Sequence, residues 1–365
     1  MMKSRLACHI VNRVARRVWS PMFVIGALAT LAVADVITGT DVGFPSTVKA
    51  FDASSSTTAS FLAYTPSFAG GVRVAAGDIN ADGARDIITA AGPAGGGHVK
   101  VFDGSSGAEI RSFFAYGPSF TGGVFVGGGD VNNDAVDDVI TGVDDGFAPH
   151  VKVFSGAGGA ELRSFFAYST GFTGGVRVAA GDVNGDTFID VITSPGAAGN
   201  GHIKVFDGNS GAEIRSFFAY GPSFTGGVFV GGGDVNNDGF GDVITGADSG
   251  VASHVKVFSG ATGAELRSFF AYPPAFTGGV RVAAGDVNGD GFADIITGAG
   301  AGGAGHVKVF SGATGAELQS FLAYGSGYSG GVFVAGSSVV PEPSSAALLL
   351  ASGMSLATRR RRRLA

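Results

Sequence analysis

Short apolar runs separated by glycine-rich turns recur along this chain at a fixed step of 52 residues. In one copy, Gly122-Gly123-Val124-Phe125-Val126 is followed by Asp138-Val139-Ile140-Thr141-Gly142 and His150-Val151-Lys152-Val153-Phe154, and then by Leu162-Arg163-Ser164-Phe165-Phe166-Ala167-Tyr168. Each run is rich in β-branched or aromatic residues and bounded by turn formers, which predicts four strands per repeat. Four antiparallel strands at a period of about 50 residues describe a β-propeller blade, so the predicted fold class is all-β. Gly127, Gly128 and Gly129 suit the crowded centre of a ring, where backbones approach closely. The pairs Phe113/Phe114, Phe165/Phe166, Phe217/Phe218 and Phe269/Phe270 are expected to pack between blades.

Counting the runs predicts how the ring closes. Each of the four strand types occurs six times, but the last Gly-Gly-Val copy, Gly330-Gly331-Val332-Phe333-Val334, precedes Ser338 where an aspartate would begin the next loop. Alternate blades read Val-Arg-Val (Arg73, Arg177, Arg281) and Val-Phe-Val (Phe125, Phe229), and Phe333 is of the second type. Asp41-Val42-Gly43-Phe44-Pro45 matches Asp144-Asp145-Gly146-Phe147-Ala148 of that same type. Six blades are therefore expected over residues 35–336, with three N-terminal strands and one C-terminal strand sharing a blade.

Between the first and second strands lies a loop with oxygen donors in fixed register. Asp78, Asn80, Asp82 and Asp86 recur as Asp130, Asn132, Asp134 and Asp138; as Asp182, Asn184, Asp186 and Asp190; as Asp234, Asn236, Asp238 and Asp242; and as Asp286, Asn288, Asp290 and Asp294. Three carboxylates and an amide packed into one tight turn are hard ligands suited to Ca²⁺, and up to five ions are expected. A polar hairpin turn that binds nothing is the alternative for any one copy. Five copies with fixed donors and variable residues between them favour the metal.

Composition fits such a protein. With 64 glycines, 30 phenylalanines and only 15% charged residues, the chain favours short strands and turns over helices. The lone Cys8 can form no internal disulfide, so metals and ring closure are the expected staples. Ten of the basic residues lie at the two ends (Lys3, Arg5, Arg13, Arg16, Arg17 and Arg359 to Arg363), leaving 14 basic against 30 acidic residues, a charge of −16, over residues 35–358. Nucleic acid is not an expected partner of such a surface.

The ends read as addresses. Residues 1–34 combine a basic stretch, an apolar run from Pro21 to Val33, and Ala32-Val33-Ala34 in the small-x-small pattern of a signal-peptidase site, which predicts export. Val340-Pro341-Glu342-Pro343-Ser344 is followed by the small and apolar stretch Ser345 to Thr358 and by Arg359 to Arg363. This order closely resembles the PEP-CTERM sorting signal of bacteria that secrete polysaccharide-rich matrices, and assigns residues 337–365 to it. The resemblance implies an exosortase-type processing enzyme and transient membrane association through that segment. A cell-surface or extracellular-matrix location follows.

Over residues 35–336 the chain resembles the FG-GAP (VCBS-type) repeats of integrin α-subunit propellers, on the pattern Asp-x-Asn-x-Asp-Gly-x-x-Asp before an apolar strand, as in Asp286 to Gly298. The resemblance implies Ca²⁺ held by side chains 1, 3, 5 and 9 and by the backbone carbonyl of residue 7, which is Ala84, Val136, Phe188, Phe240 or Phe292. Position 6 is Gly83, Gly239 and Gly291 in three loops but Ala135 and Thr187 in two, which are expected to be weaker if that turn needs φ > 0. An EF-hand reading fails because position 12 is Thr89, Thr141, Thr193, Thr245 or Thr297, where an acid is required.

No constellation stands out for catalysis. His98, His150, His202, His254 and His306 fall on separate blades and would not converge on one ion. Lys100, Lys152, Lys204, Lys256 and Lys308 alternate with apolar neighbours and are expected at a surface or edge. An enzyme should carry unrepeated acids or bases on one blade, and the most deviant stretch, Val143-Asp144-Asp145-Gly146, is partly repeated at Ala247-Asp248-Ser249-Gly250. The expected function is a calcium-binding adhesion or interaction module whose partner is an extracellular polysaccharide or protein. The rival is a polysaccharide lyase or hydrolase on the same scaffold, and a purely structural product of repeat duplication is a third reading.

Overall fold

The computed structural model describes residues 36–336 apart from Pro222. The export and sorting segments fall outside the described residues. All described secondary structure is β: 24 strands form six four-stranded antiparallel sheets. In blade 1 the strands are Val72–Gly77, Asp86–Ala91, His98–Phe102 and Glu109–Phe114, numbered from the ring centre outwards. Blades 2 to 5 repeat this order from the inner strands Val124–Gly129, Val176–Gly181, Val228–Gly233 and Val280–Gly285.

Blade 6 is assembled from both ends, as its repeat types require. Val332–Gly336 pairs antiparallel with Val36–Thr40, with Thr38 opposite Val334, and Thr47–Phe51 and Thr57–Leu62 complete the sheet. The six inner strands meet their neighbours all round, so the ring has no open inner edge.

Burial grades outwards from the centre. The second strand of every blade is wholly buried, the third alternates, and the fourth is mostly exposed. Each apolar cluster spans a seam; Ile88, Val99 and Val101 of blade 1, for example, pack with Val124, Val126 and Val139 of blade 2. Non-directional apolar burial of this kind supplies most of the cohesion.

The expectation for the phenylalanine pairs holds for one ring of each. Phe113, Phe165, Phe217 and Phe269 lie 4.7–4.9 Å, centroid to centroid, from Phe154, Phe206, Phe258 and Phe310 of the next blade. Phe114, Phe166, Phe218 and Phe270 are exposed instead. Successive side chains of a strand point to opposite faces, so two adjacent rings cannot share one seam.

A tyrosine latches every seam. Tyr64, Tyr116, Tyr168, Tyr220 and Tyr272 donate their hydroxyls to the carbonyls of His98, His150, His202, His254 and His306 at 2.6–2.9 Å. Tyr324 does the same to Thr47 at 2.9 Å, joining blade 5 to blade 6. Burial pushes all six phenols well above their ordinary range, so each remains a donor. Farther out, Arg111, Arg163, Arg215 and Arg267 reach carbonyls of the next blade's turn, and Gln319 reaches Ala53. Ala59 occupies this position in blade 6, so the seam from blade 6 to blade 1 lacks the outer latch.

Candidate metal centres and the ends of the channel

The five aspartate loops connect inner to second strands and so lie at one end of the ring. Each is folded by its own donor residues. In the first, Asp78 Oδ1 and Oδ2 accept from the amides of Asp82 and Gly83 at 3.1 and 3.0 Å. Asn80 Oδ1 accepts from Asp82 N at 2.9 Å, and Asp82 Oδ1 from Ala84 N at 2.8 Å. Asp86 Oδ2 takes the amide of Ile79 at 2.9 Å and its Oδ1 that of Gly104, two strands away, at 3.0 Å. The pattern repeats with Asp130 to Asp138, Asp182 to Asp190, Asp234 to Asp242 and Asp286 to Asp294. All twenty predicted side-chain donors are thus gathered into five separate turns.

The closing aspartates are fully buried yet face amides rather than cations. Burial pushes the carboxyls of Asp86, Asp138, Asp242 and Asp294 up to about 6 and that of Asp190 up to about 7, neighbouring loop aspartates adding to the rise. Hard oxygens in excess of positive charge fit a divalent cation, and Asp186, Asp190 and Asp207 each bring a carboxylate oxygen within 4.8 Å of the others. These residues would hold Ca²⁺, which would supply the missing charge.

Asp207 was not anticipated from the sequence. It follows the third strand of blade 3, and its equivalent in blade 1 is Asp103; they accept from Asn184 and Asn80 at 2.8 and 2.7 Å. Blades 2, 4 and 5 carry Ser155, Ser259 and Ser311 there, so the signal available was Val-Phe-Asp against Val-Phe-Ser.

The loops also differ in backbone strain. Position 6 does require φ > 0, at 85–87° in Gly83, Gly239 and Gly291 and at 67° and 75° in Ala135 and Thr187. Position 4 requires it too, which was not expected: Ala81, Asn133, Gly185, Asn237 and Gly289 have φ of 57–74°. Glycine and asparagine tolerate this region, whereas alanine and threonine do not. The loop of blade 1 therefore joins those of blades 2 and 3 as strained, and only blades 4 and 5 are free of the conflict.

A family model for the FG-GAP repeat matches residues 278–310. This span contains the unstrained loop with Gly289 and Gly291. No curated protein matches the chain. Among solved structures, a protein of unknown function from Bacteroides caccae is 11% identical, with a TM-score of 0.51, over 83% of this chain and 99% of its own. Rhamnogalacturonan lyase YesW is 13% identical at a TM-score of 0.41, and the rhamnogalacturonan lyase PL11 of Bacillus licheniformis 14% at 0.41. The matched parts cover 76% and 79% of this chain but only 59% and 62% of the two lyases. At such identities the likeness concerns the fold alone.

The channel has two unlike ends. At the loop end lies a cavity of about 190 Å³, walled largely by glycine and alanine, including Gly128, Gly129, Gly232 and Gly233. Position 8 of the loops lines it with Arg85, Asp137, Ile189, Gly241 and Ala293, the one position where charge is not repeated. Arg85 and Asp137 pair at 2.9 Å, and Asp137 Oδ2 also accepts from Asp78 N at 2.8 Å.

At the opposite end the channel is plugged. Phe125, Phe229 and Phe333 form an edge-to-face trio with centroids 6.3–6.4 Å apart, and Arg73, Arg177 and Arg281 lie over these rings at 3.9–5.7 Å. Each guanidinium pairs with an aspartate of the following blade: Asp144, Asp248 and Asp41, respectively. Their buried Nε–H groups have no hydrogen-bond acceptor, and the aromatic faces add cation–π contacts to the charge compensation that the aspartates supply. Asp144, in the most deviant stretch of the sequence, is therefore one of three equivalent structural partners. The repeated lysines are likewise paired, each to a glutamate at 2.6–2.7 Å.

Proposed function

We propose that the chain is an exported, Ca²⁺-stabilised propeller that acts as an adhesion or interaction module at a cell surface or in an extracellular matrix. The observation that carries this reading is the set of five loops, each gathering three aspartates and an asparagine into one turn with its closing carboxylate buried, on a ring whose chemistry is repeated from blade to blade apart from position 8 of the loops. Repeated surfaces suit multivalent contact, whereas turnover needs one constellation at one place. The charge excess in the loops supports a divalent ion, and the absence of disulfide-forming cysteines supports metal as the staple.

A second reading rests on Arg85 and Asp137, an unrepeated acid–base pair beside the channel cavity, as an enzyme acting on polysaccharide would need. Incubating the calcium-loaded protein with matrix polysaccharides and assaying reducing ends and unsaturated products separates the two. Retention on polysaccharide or matrix protein without turnover supports the module. Sustained turnover that is lost in Asp137→Asn, with the fold intact by circular dichroism, would replace it with the enzyme.

A further inference from the structure

The outward rings of the phenylalanine pairs are not scattered surface apolar residues. Phe114, Phe166, Phe218 and Phe270 are 57%, 48%, 46% and 51% exposed, and each ends the outer strand of one of four successive blades. In each case the residue across the strand pair is the histidine that opens the third strand: His98, His150, His202 and His254. The imidazole lies against the phenyl ring with centroids 4.6–4.7 Å apart and planes 20–30° from parallel. Its Nε2 is held 2.7–2.8 Å from a serine hydroxyl, that of Ser112, Ser164, Ser216 or Ser268. One step farther along the same face, Lys100, Lys152, Lys204 and Lys256 pair with Glu109, Glu161, Glu213 and Glu265.

Leaving four large rings half in water is unfavourable, and the same strands show the alternative by burying Phe113 and its equivalents. Each exposed ring is propped on an imidazole and bordered by a hydroxyl and an ion pair. Such a patch offers a flat apolar face beside donors and acceptors. Its complement has a flat face of C–H groups and a rim of hydroxyls, which describes a pyranose. A protein partner would call for a contiguous apolar area; here the nearest exposed apolar side chains of the same strand, Ile110, Leu162, Ile214 and Leu266, are only 37–38% exposed and are separated from the rings by Ser112, Ser164, Ser216 and Ser268. The acid excess of the chain disfavours a polyanion and selects a neutral glycan. Leu322 and Leu62 replace the ring in blades 5 and 6, so the aromatic positions form an arc over four consecutive blades rather than a closed circle.

We infer that the four phenylalanine–histidine stacks of blades 1 to 4 are equivalent sugar-binding platforms that together hold a neutral polysaccharide of pyranose units along the rim. The inference rests on the interaction-module reading and supplies its ligand class and site. One platform binds weakly, and a chain spanning several gains by avidity.

The test uses the calcium-loaded full chain and affinity electrophoresis in hydroxyethyl cellulose, xyloglucan, dextran and, as the acidic comparison, polygalacturonate. Phe114→Ala alone should weaken retention by a few-fold, and replacing Phe114, Phe166, Phe218 and Phe270 together should weaken it by about 100-fold or more, with melting unchanged. Phe218→Trp, which keeps a platform, should retain binding and shift its emission when cellohexaose is added; this readout stands even if the quadruple variant fails to fold. Unchanged retention of the quadruple variant would overturn the platforms while leaving the module intact. Failure of the wild type to bind any neutral glycan, with the quadruple substitution altering only self-association in sedimentation, would overturn them in favour of a contact between copies.

Discussion

The amide of Asp137 donates to the carbonyl of Asp78 at 3.0 Å, so the eighth residue of one loop holds the first residue of the loop before it. Ile189 does the same to Asp130, Gly241 to Asp182 and Ala293 to Asp234, at 2.6–3.0 Å. The five loops are therefore hydrogen-bonded in series, with the break at blade 6. An ion that orders one loop fixes a ligand-bearing residue of its neighbour and lowers the entropy cost of the next ion. Calorimetric titration should give five Ca²⁺ per chain with a Hill coefficient above one. Millimolar Ca²⁺ should add about 1 kcal/mol of stability per site for dissociation constants on the order of 10⁻⁴ to 10⁻³ M. A melting temperature unmoved by EDTA would remove the metal from the account.

Strain separates the sites. A Cβ added at Gly291 meets nothing within 4 Å, so the cost of Gly291→Ala comes from its φ of +86° alone. It should destabilise the calcium-loaded loop by about 1 kcal/mol and weaken binding there several-fold. The converse Ala135→Gly, at φ 67°, should strengthen its site. Equal affinities in Gly291→Ala and wild type would show that these loops relax without cost.

Proton and metal should compete at the closing aspartates. Their folded-state pKa is raised, to about 6 for Asp86, Asp138, Asp242 and Asp294 and about 7 for Asp190, from an unfolded value of about 3.9. Between those values the folded chain holds protons that the unfolded chain has lost, so stability falls as pH rises. In EDTA the melting temperature should therefore drop from pH 5 through pH 7 and level off above about pH 8. Saturating Ca²⁺ should flatten or reverse the slope. A metal-free chain more stable at pH 7 than at pH 5 would contradict the buried, uncompensated carboxylates.

The seam between blades 6 and 1 should open first. It has the Tyr64 latch and the Phe61–Phe102 contact at 4.7 Å, but Ala59 stands where other blades carry Arg111, Arg163, Arg215 or Arg267. Ala59→Arg should reach the carbonyl of Gly104 and add up to about 1.5 kcal/mol. Phe333→Ala should cost about 3–5 kcal/mol, because it removes a ring of the plug as well as core volume. Hydrogen exchange should find Val36–Thr40 and Val332–Gly336 less protected than the matching strands of blade 3. Uniform protection round the ring would show that the missing latch has no effect.

Strands and ring closure were legible because each repeat carries its own turn signals and because Phe333 and Asp41 mark their blade type. The loop donors were legible from register alone. What escaped detection depends on geometry between repeats. Arg73 and Asp144 are 71 residues apart and meet only once the blades are side by side. Pairing Phe114 with Phe113 between blades overlooks the two-residue period of a strand, which places adjacent rings on opposite faces. Position 4 escaped because alanine, asparagine and glycine share no side-chain chemistry; they share only a backbone shape, which asparagine and glycine tolerate and Ala81 adopts under strain.

The alternation of arginine and phenylalanine around the plug makes ring size a matter of parity. Removing or inserting a single blade would set two arginine blades or two phenylalanine blades side by side, leaving a cation without its ring or a ring without its cation. The unit that can be copied or lost without that clash is two blades, 104 residues at the observed 52-residue step. Relatives and engineered versions of this propeller are accordingly expected to change size by pairs, as four or eight blades before five or seven.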